Sequence, residues 1–168
     1  MGARVAKISP AVIHYYFGKR ERMLRDILWH HTEAMLGAAN EVTKAHEKKS
    51  DPEAWLAALA LVLLEFVTGK ARAEQKVLLH TLNTLAVDDN ESILYRLGLL
   101  RFAATLPMVE AAPALAGREA VLMPLGQAFL SLVGDAALWW PEGGDHAGYA
   151  RMVARMMMEA VQMAREAN

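Results

Sequence analysis

Cysteine is absent from this 168-residue chain. That removes disulfides, thiolate nucleophiles and cysteine-ligated zinc together, and it suits a reducing compartment. Long apolar runs are missing too. The most apolar stretch, AWLAALALVLL at 54–64, is cut by Glu65 and falls short of the roughly 18 residues a membrane span needs. It reads as a buried helix, and no membrane partner is expected. The N-terminus carries basic residues without an apolar stretch ending in a small-residue cleavage site, so no signal peptide is expected and the cytoplasm is the default location. Nowhere do apolar and polar residues alternate between Asn-Gly or Asp-Gly turns, and repeats and low-complexity tracts are lacking.

Catalytic constellations are also missing. His30 and His31 are neighbours, so on a helix they point about 100° apart and make a poor metal pair. His46, His80 and His146 lie outside any HExxH or Glu-x-x-His spacing. Asp88, Asp89 and Glu91 could be read as a hard-cation site, but a cap cluster between helices explains them more simply. With no phosphate-cradling glycine loop and no G-x-S-x-G, neither an enzyme, a metal nor a cofactor is expected.

What the chain does have is apolar residues, at 54%, against 22% charged, enough for one domain with a substantial core. Apolar spacing of three and four runs through nearly every segment, so the fold class is all-α. Ser9 before Pro10 starts a short helix that ends near Gly18. A long helix is expected over 19–47, stopping at the polar stretch KKSD. Asp51 then caps a central helix that opens with Pro52 and ends at Gly69. Further helices are expected over 71–87, 91–106, 118–140 and 146–167. DDNE at 88–91 would act as stop and cap, 107–117 would form an irregular connection, and Pro124 would delay or kink the 118–140 helix.

Charge is uneven. The net charge is −1, yet residues 1–25 hold six basic side chains against Glu21 alone. A basic head on an acidic body fits a polyanion partner for the head, or simply a solvated charged face. The geometry of that head is informative. Residues 3–7, a turn at Ile8 and Ser9, a short helix from Pro10 to Phe17 and a basic long helix form the second half of a helix-turn-helix. Ile13 and Phe17, four apart, point back to the module's own core. Pro10, Ala11 and Val12 then face outward at the helix N-terminus, where small apolar groups suit thymine methyls. His14, Tyr15, Tyr16, Lys19 and Arg20 can bond and neutralise phosphates, and Ser9 completes the expected DNA-contacting set.

The stretch AKISPAVIHYYFGKRERML resembles the end of the DNA-binding domain of TetR/AcrR-type regulators, whose pattern is roughly A-G-V-S-x-G-T-L-Y-x-H-F-x-x-K-E-x-L. Ala6, Ile8, Ser9, Ile13, Phe17, Glu21 and Met23 match in type, and Arg20 takes the place of a phosphate-contacting lysine. Lys7, Ala11, Val12, His14 and Tyr16 depart from the pattern. The resemblance implies a ligand-responsive transcriptional regulator, in the first instance a repressor, acting as a homodimer on operator DNA. It further implies that the first helix and most of the second lie in front of Met1, so 1–25 is the remnant of a helix-turn-helix domain leading into the connecting helix. On this division 26–168 is the ligand-binding and dimerisation domain. Without the missing helices Ile13 and Phe17 lose burial worth on the order of 1.5–3 kcal/mol each, and the expectation is weak DNA binding by this chain alone. The alternative is a ligand-binding and dimerisation module that does not bind DNA by itself.

The resemblance places a small-molecule site among the middle helices. Trp55, Leu59, Phe66, His80, Asn83, Tyr95, Phe102, Met108, Phe129 and Trp139 offer the mixture of large apolar and occasional polar groups for an apolar or aromatic effector, or form ordinary core. The resemblance also pairs the last two helices with a second subunit. Small groups at Gly126, Gly134 and Ala137, with Leu130, permit close approach, and Tyr149, Met152, Val153, Met156 and Met163 form one broad face on the last helix. Both stripes could instead pack within one chain.

Overall fold

A computed structural model describes residues 20–46, 49–81 and 87–167, and every regular element among them is helical. In chain order these are α1 (Arg20–His46), α2 (Pro52–Thr68), α3 (Arg72–Thr81), α4 (Val87–Ala111), a 3-10 turn (Pro113–Leu115), α5 (Glu119–Gly134), the short α6 (Ala136–Trp139) and α7 (His146–Glu166). The expected DNA contacts Ser9, Pro10, Ala11, Val12, His14, Tyr15, Tyr16 and Lys19 lie outside the described residues, as does Asn83, while Arg20 opens α1.

Local signals set most of the helix ends. The Asp51 carboxylate accepts from Ala54 N at 3.0 Å and Pro52 occupies the first turn of α2, satisfying an amide that the helix leaves free. At the other end Gly69 N donates to Glu65 O at 3.0 Å. A Cβ on Gly69 would stand 2.6 Å from that oxygen, so only glycine closes the helix this tightly. Asp145 repeats the capping device on α7, accepting from Gly148 N at 2.8 Å.

Because α2 is apolar on most of its circumference it is the central helix. Leu56, Leu59, Ala60, Leu63, Leu64 and Val67 are buried against α7, α1, α4 and α5. The 119–139 stretch is long and apolar enough to cross a bilayer by composition. It is nonetheless divided into α5 and α6 at Asp135, and it packs on α4 and α2 within the domain.

Several expected boundaries are corrected by packing. DDNE does not separate two helices, because residues 88–91 lie inside the first turns of α4. That helix also runs through Pro107 to Ala111. Proline inside a helix costs about 3 kcal/mol or more. Burial of Ala103, Ala104, Met108 and Ala112 on both sides of it offsets that loss. Pro124 likewise sits inside α5. The expected helix over 71–87 shortens to Arg72–Thr81, and the one over 118–140 breaks at Asp135.

The broad face expected on α7 splits in two. Ala150, Val153, Ala154, Met157 and Val161 turn inward, whereas Met152, Met156 and Met163 are 47%, 45% and 64% exposed. Tyr149 also turns inward, donating its hydroxyl to Leu132 O at 2.9 Å. Burial, then the Asp135 carboxylate, holds that phenol above its ordinary pKa. The small-residue stripe is used within the chain as well. A Cβ at Gly126 would meet Arg101 O at 2.9 Å and Thr105 Cγ2 at 3.2 Å, so Gly126 is where α5 crosses α4 in near backbone contact. Ala137 is fully buried, and Gly134 packs under the Gln75 side chain.

Candidate ligand-binding site

Four helices leave a cavity of about 270 Å³ between them. Met35 of α1 forms one wall, and Gln75, Leu78 and Leu79 of α3 another. Leu94, Leu97 and Arg101, spaced i, i+3 and i+7 on α4, bring one face of that helix to the cavity. Leu130, Ser131 and Gly134 of α5 close it, with Gln127 and Asp135 at an exposed rim.

The polar groups are few and specific. Gln75 is buried, and its Oε1 lies 2.7 Å from His31 Nε2 on α1. Its Nε2 donates to Gly134 O on α5 at 3.4 Å. Since the amide nitrogen is spent on a carbonyl, Oε1 must accept, and His31 must carry its proton on Nε2. Burial holds the His31 pKa below its ordinary value, partly offset by the Gln75 bond and by Glu74. The imidazole is therefore neutral at pH 7, and its ring packs against Phe66 at 5.3 Å between centroids. Gln75 thus ties α1 to α5 beside the cavity. Among the described residues Arg101 supplies the one cation at the cavity lining, and its buried Nε has no hydrogen-bond partner there.

Among the described residues, none of the effector contacts expected from sequence lines this cavity. Trp55, Leu59, Met108 and Phe129 are core, between 0% and 5% exposed. Tyr95, Phe102 and Trp139 face outward at 66%, 57% and 53% exposure, and His80 is exposed. Phe66 packs against His31, the hydrogen-bond partner of the cavity-lining Gln75. Leu130 and Gly134, two of the residues expected at a subunit interface, line the cavity. Sequence reasoning missed Gln75 and Arg101. The available signal was a single basic side chain inside the apolar run LGLLRFAATL of α4. A second, more polar cleft lies at the end of α2, lined by Thr68, Arg72, Trp140 and His146 among others. There Arg72 is already engaged by the carbonyls of Ala137 and Trp140, at 2.8 and 3.0 Å. Among the described residues no cluster of three or more His, Asp or Glu is arranged to hold a metal ion.

No protein-family model and no curated protein matches the sequence. Among solved structures, the chain is similar to the TetR family transcriptional regulator PfmR from Thermus thermophilus, with a TM-score of 0.72. The match covers 90% of this chain and 82% of that one at 15% sequence identity. The architecture is therefore that of a TetR-type regulator, all-helical as the sequence resemblance implies.

Proposed function

We propose that the chain is a ligand-responsive transcriptional regulator of TetR/AcrR type, non-catalytic, cytoplasmic and homodimeric. The observation that carries this reading is the position of α1. This helix follows directly on the helix-turn-helix-like stretch, forms a wall of the cavity through Met35, and is bonded to Gln75 through His31. A molecule entering the cavity must meet Gln75 and the α1 wall together. If it fits better with α1 displaced, it shifts the population towards that arrangement by the difference in its two affinities. The DNA-reading helices of a dimer would then no longer match their two half-sites.

For the dimer, support comes from the exposed stripe Met152, Met156 and Met163, flexible apolar side chains at helical spacing on the outer face of α7. The site residues on this reading are Met35, Gln75, Leu97, Arg101 and Leu130 for the effector, and Ser9 to Val12, His14 to Tyr16, Lys19 and Arg20 for DNA.

Selection of the purified protein against random duplex DNA, followed by fluorescence anisotropy, tests the reading. For a protein carrying the complete helix-turn-helix domain, a palindromic site with half-sites about one helical turn apart is expected, with affinity falling steeply as salt rises, and the present chain alone is expected to bind that site weakly. Binding without sequence preference overturns the operator-specific reading. A protein that binds small molecules and dimerises but takes no DNA is the ligand-binding and dimerisation module instead.

A further inference from the structure

The cavity is lined mainly by leucines and Met35, with Gln75, Gln127, Ser131 and Asp135 as its other polar side chains, and Arg101 is its one cation among the described residues. The guanidinium of Arg101 carries a buried Nε–H, and no hydrogen bond or ion pair engages the side chain among the described residues. Asp135, the carboxylate that shares the cavity, makes no ion pair with it and is exposed at the rim. An arginine cannot shed its proton to escape burial. Arg101 is partly buried, and its one shielded donor, Nε–H, is best completed by an anion in the cavity. The planar guanidinium fork matches a carboxylate in particular.

We propose that the cavity receives a compact apolar acid whose carboxylate pairs with the Arg101 guanidinium. This rests on reading the cavity as the effector site, and it specifies the chemical class that site takes. The hydrocarbon part lies against Leu78, Leu97 and Leu130 and reaches Met35 on α1. Size is bounded as well. At the packing density of protein interiors, 270 Å³ accommodates roughly a dozen non-hydrogen atoms, which admits a substituted benzoate or a medium-chain fatty acid. A cationic ligand would have to use Asp135, but solvent screens that exposed carboxylate, whereas the Arg101 Nε is shielded.

Isothermal titration of the full chain with 4-ethylbenzoate and with 4-ethylbenzamide, repeated with octanoate and octanamide, tests the assignment. These pairs match in shape and differ in charge. The acids are expected to bind about tenfold to a hundredfold more tightly than their amides, the range of a charge-assisted hydrogen bond. Arg101→Gln should erase that preference, lowering acid affinity about tenfold to a hundredfold and amide affinity far less. If Arg101→Gln fails to fold by circular dichroism, Arg101→Lys, which keeps the charge and loses the fork, should lower acid affinity more than amide affinity and so narrow the preference. Equal binding of acid and amide overturns the carboxylate subsite and leaves the regulator with a neutral effector. Binding of neither at millimolar concentration overturns the subsite and the effector reading of the cavity together.

Discussion

His31 and Gln75 are 44 positions apart in sequence and 2.7 Å apart in space, both buried, one on α1 and one on α3. The pair joins the helix that follows the basic N-terminal stretch to the wall of the cavity. A neutral hydrogen bond contributes only about 1 kcal/mol net, but leaving either partner buried and unpaired costs about 1–3 kcal/mol. Gln75→Leu and His31→Leu should each therefore destabilise the protein by that larger amount. The double variant should be less destabilised than the sum of the two, a coupling that chemical denaturation of all four proteins measures.

The same pair gives a pH dependence. Burial lowers the His31 pKa in the folded protein, so the unfolded chain takes up its proton first as pH falls. The stability that the neutral imidazole contributes is fully present above the unfolded pKa, near 6.5. It is lost progressively as pH falls from there towards the lowered folded pKa. Denaturation midpoints measured from pH 8 to pH 5 should fall more steeply for the natural protein than for His31→Gln. Parallel curves would show that His31 does not titrate differently on folding.

Two glycines should respond in opposite directions to alanine. Gly37 lies exposed within α1, with nothing within 4 Å of an added Cβ, so Gly37→Ala should stabilise by about 0.5–1 kcal/mol through helix propensity. Gly126→Ala gains the same propensity but drives a methyl to 2.9 Å from Arg101 O. Overpacking of about 1–3 kcal/mol should win, and thermal unfolding of the two variants should move to opposite sides of the natural protein.

Phe129 and Phe102 separate core from surface. Phe129 is fully buried and Phe102 is 57% exposed. Phe129→Ala should cost about 3–5 kcal/mol, whereas Phe102→Ala should change stability by no more than about 0.5 kcal/mol. Urea denaturation of each variant checks the difference, and neither change should alter the acid-over-amide preference.

The outward methionines provide the oligomer test. Met152→Glu with Met156→Glu places charges on a face 47% and 45% exposed in the single chain, so the fold should persist by circular dichroism. On the dimer reading, light scattering should show the natural protein as a dimer at micromolar concentration and the double variant as a monomer, because a buried unpaired charge disfavours the interface. A natural protein that is already monomeric would remove the subunit interface from the reading.

Much of the fold is legible along the chain because helix ends are local events. Asp51 with Pro52, Asp145 before α7 and Gly69 after α2 each act within four residues, and the chain itself determines them. Apolar spacing of three and four likewise requires helices. Where boundaries moved, as at Pro107 and Asp135, contacts from distant helices outweighed a local cost or divided an apolar stretch that spacing alone would leave whole.

The site was not legible in this way. Periodicity marks which side chains share a helix face but not which helix lies opposite. Phe129 could thus serve a ligand or the core on sequence grounds, and only the packing of α5 buries it completely. Gly126 and Gly134 equally suit an interface between subunits or between helices on sequence grounds, and the structure shows Gly126 against the α4 backbone and Gly134 under the Gln75 side chain. Sequence by itself determined an all-helical chain whose basic N-terminal stretch resembles half of a helix-turn-helix. Tertiary structure alone decided that Gln75 and Arg101 meet one cavity, because bringing buried polar groups together across long separations depends on how the helices cross.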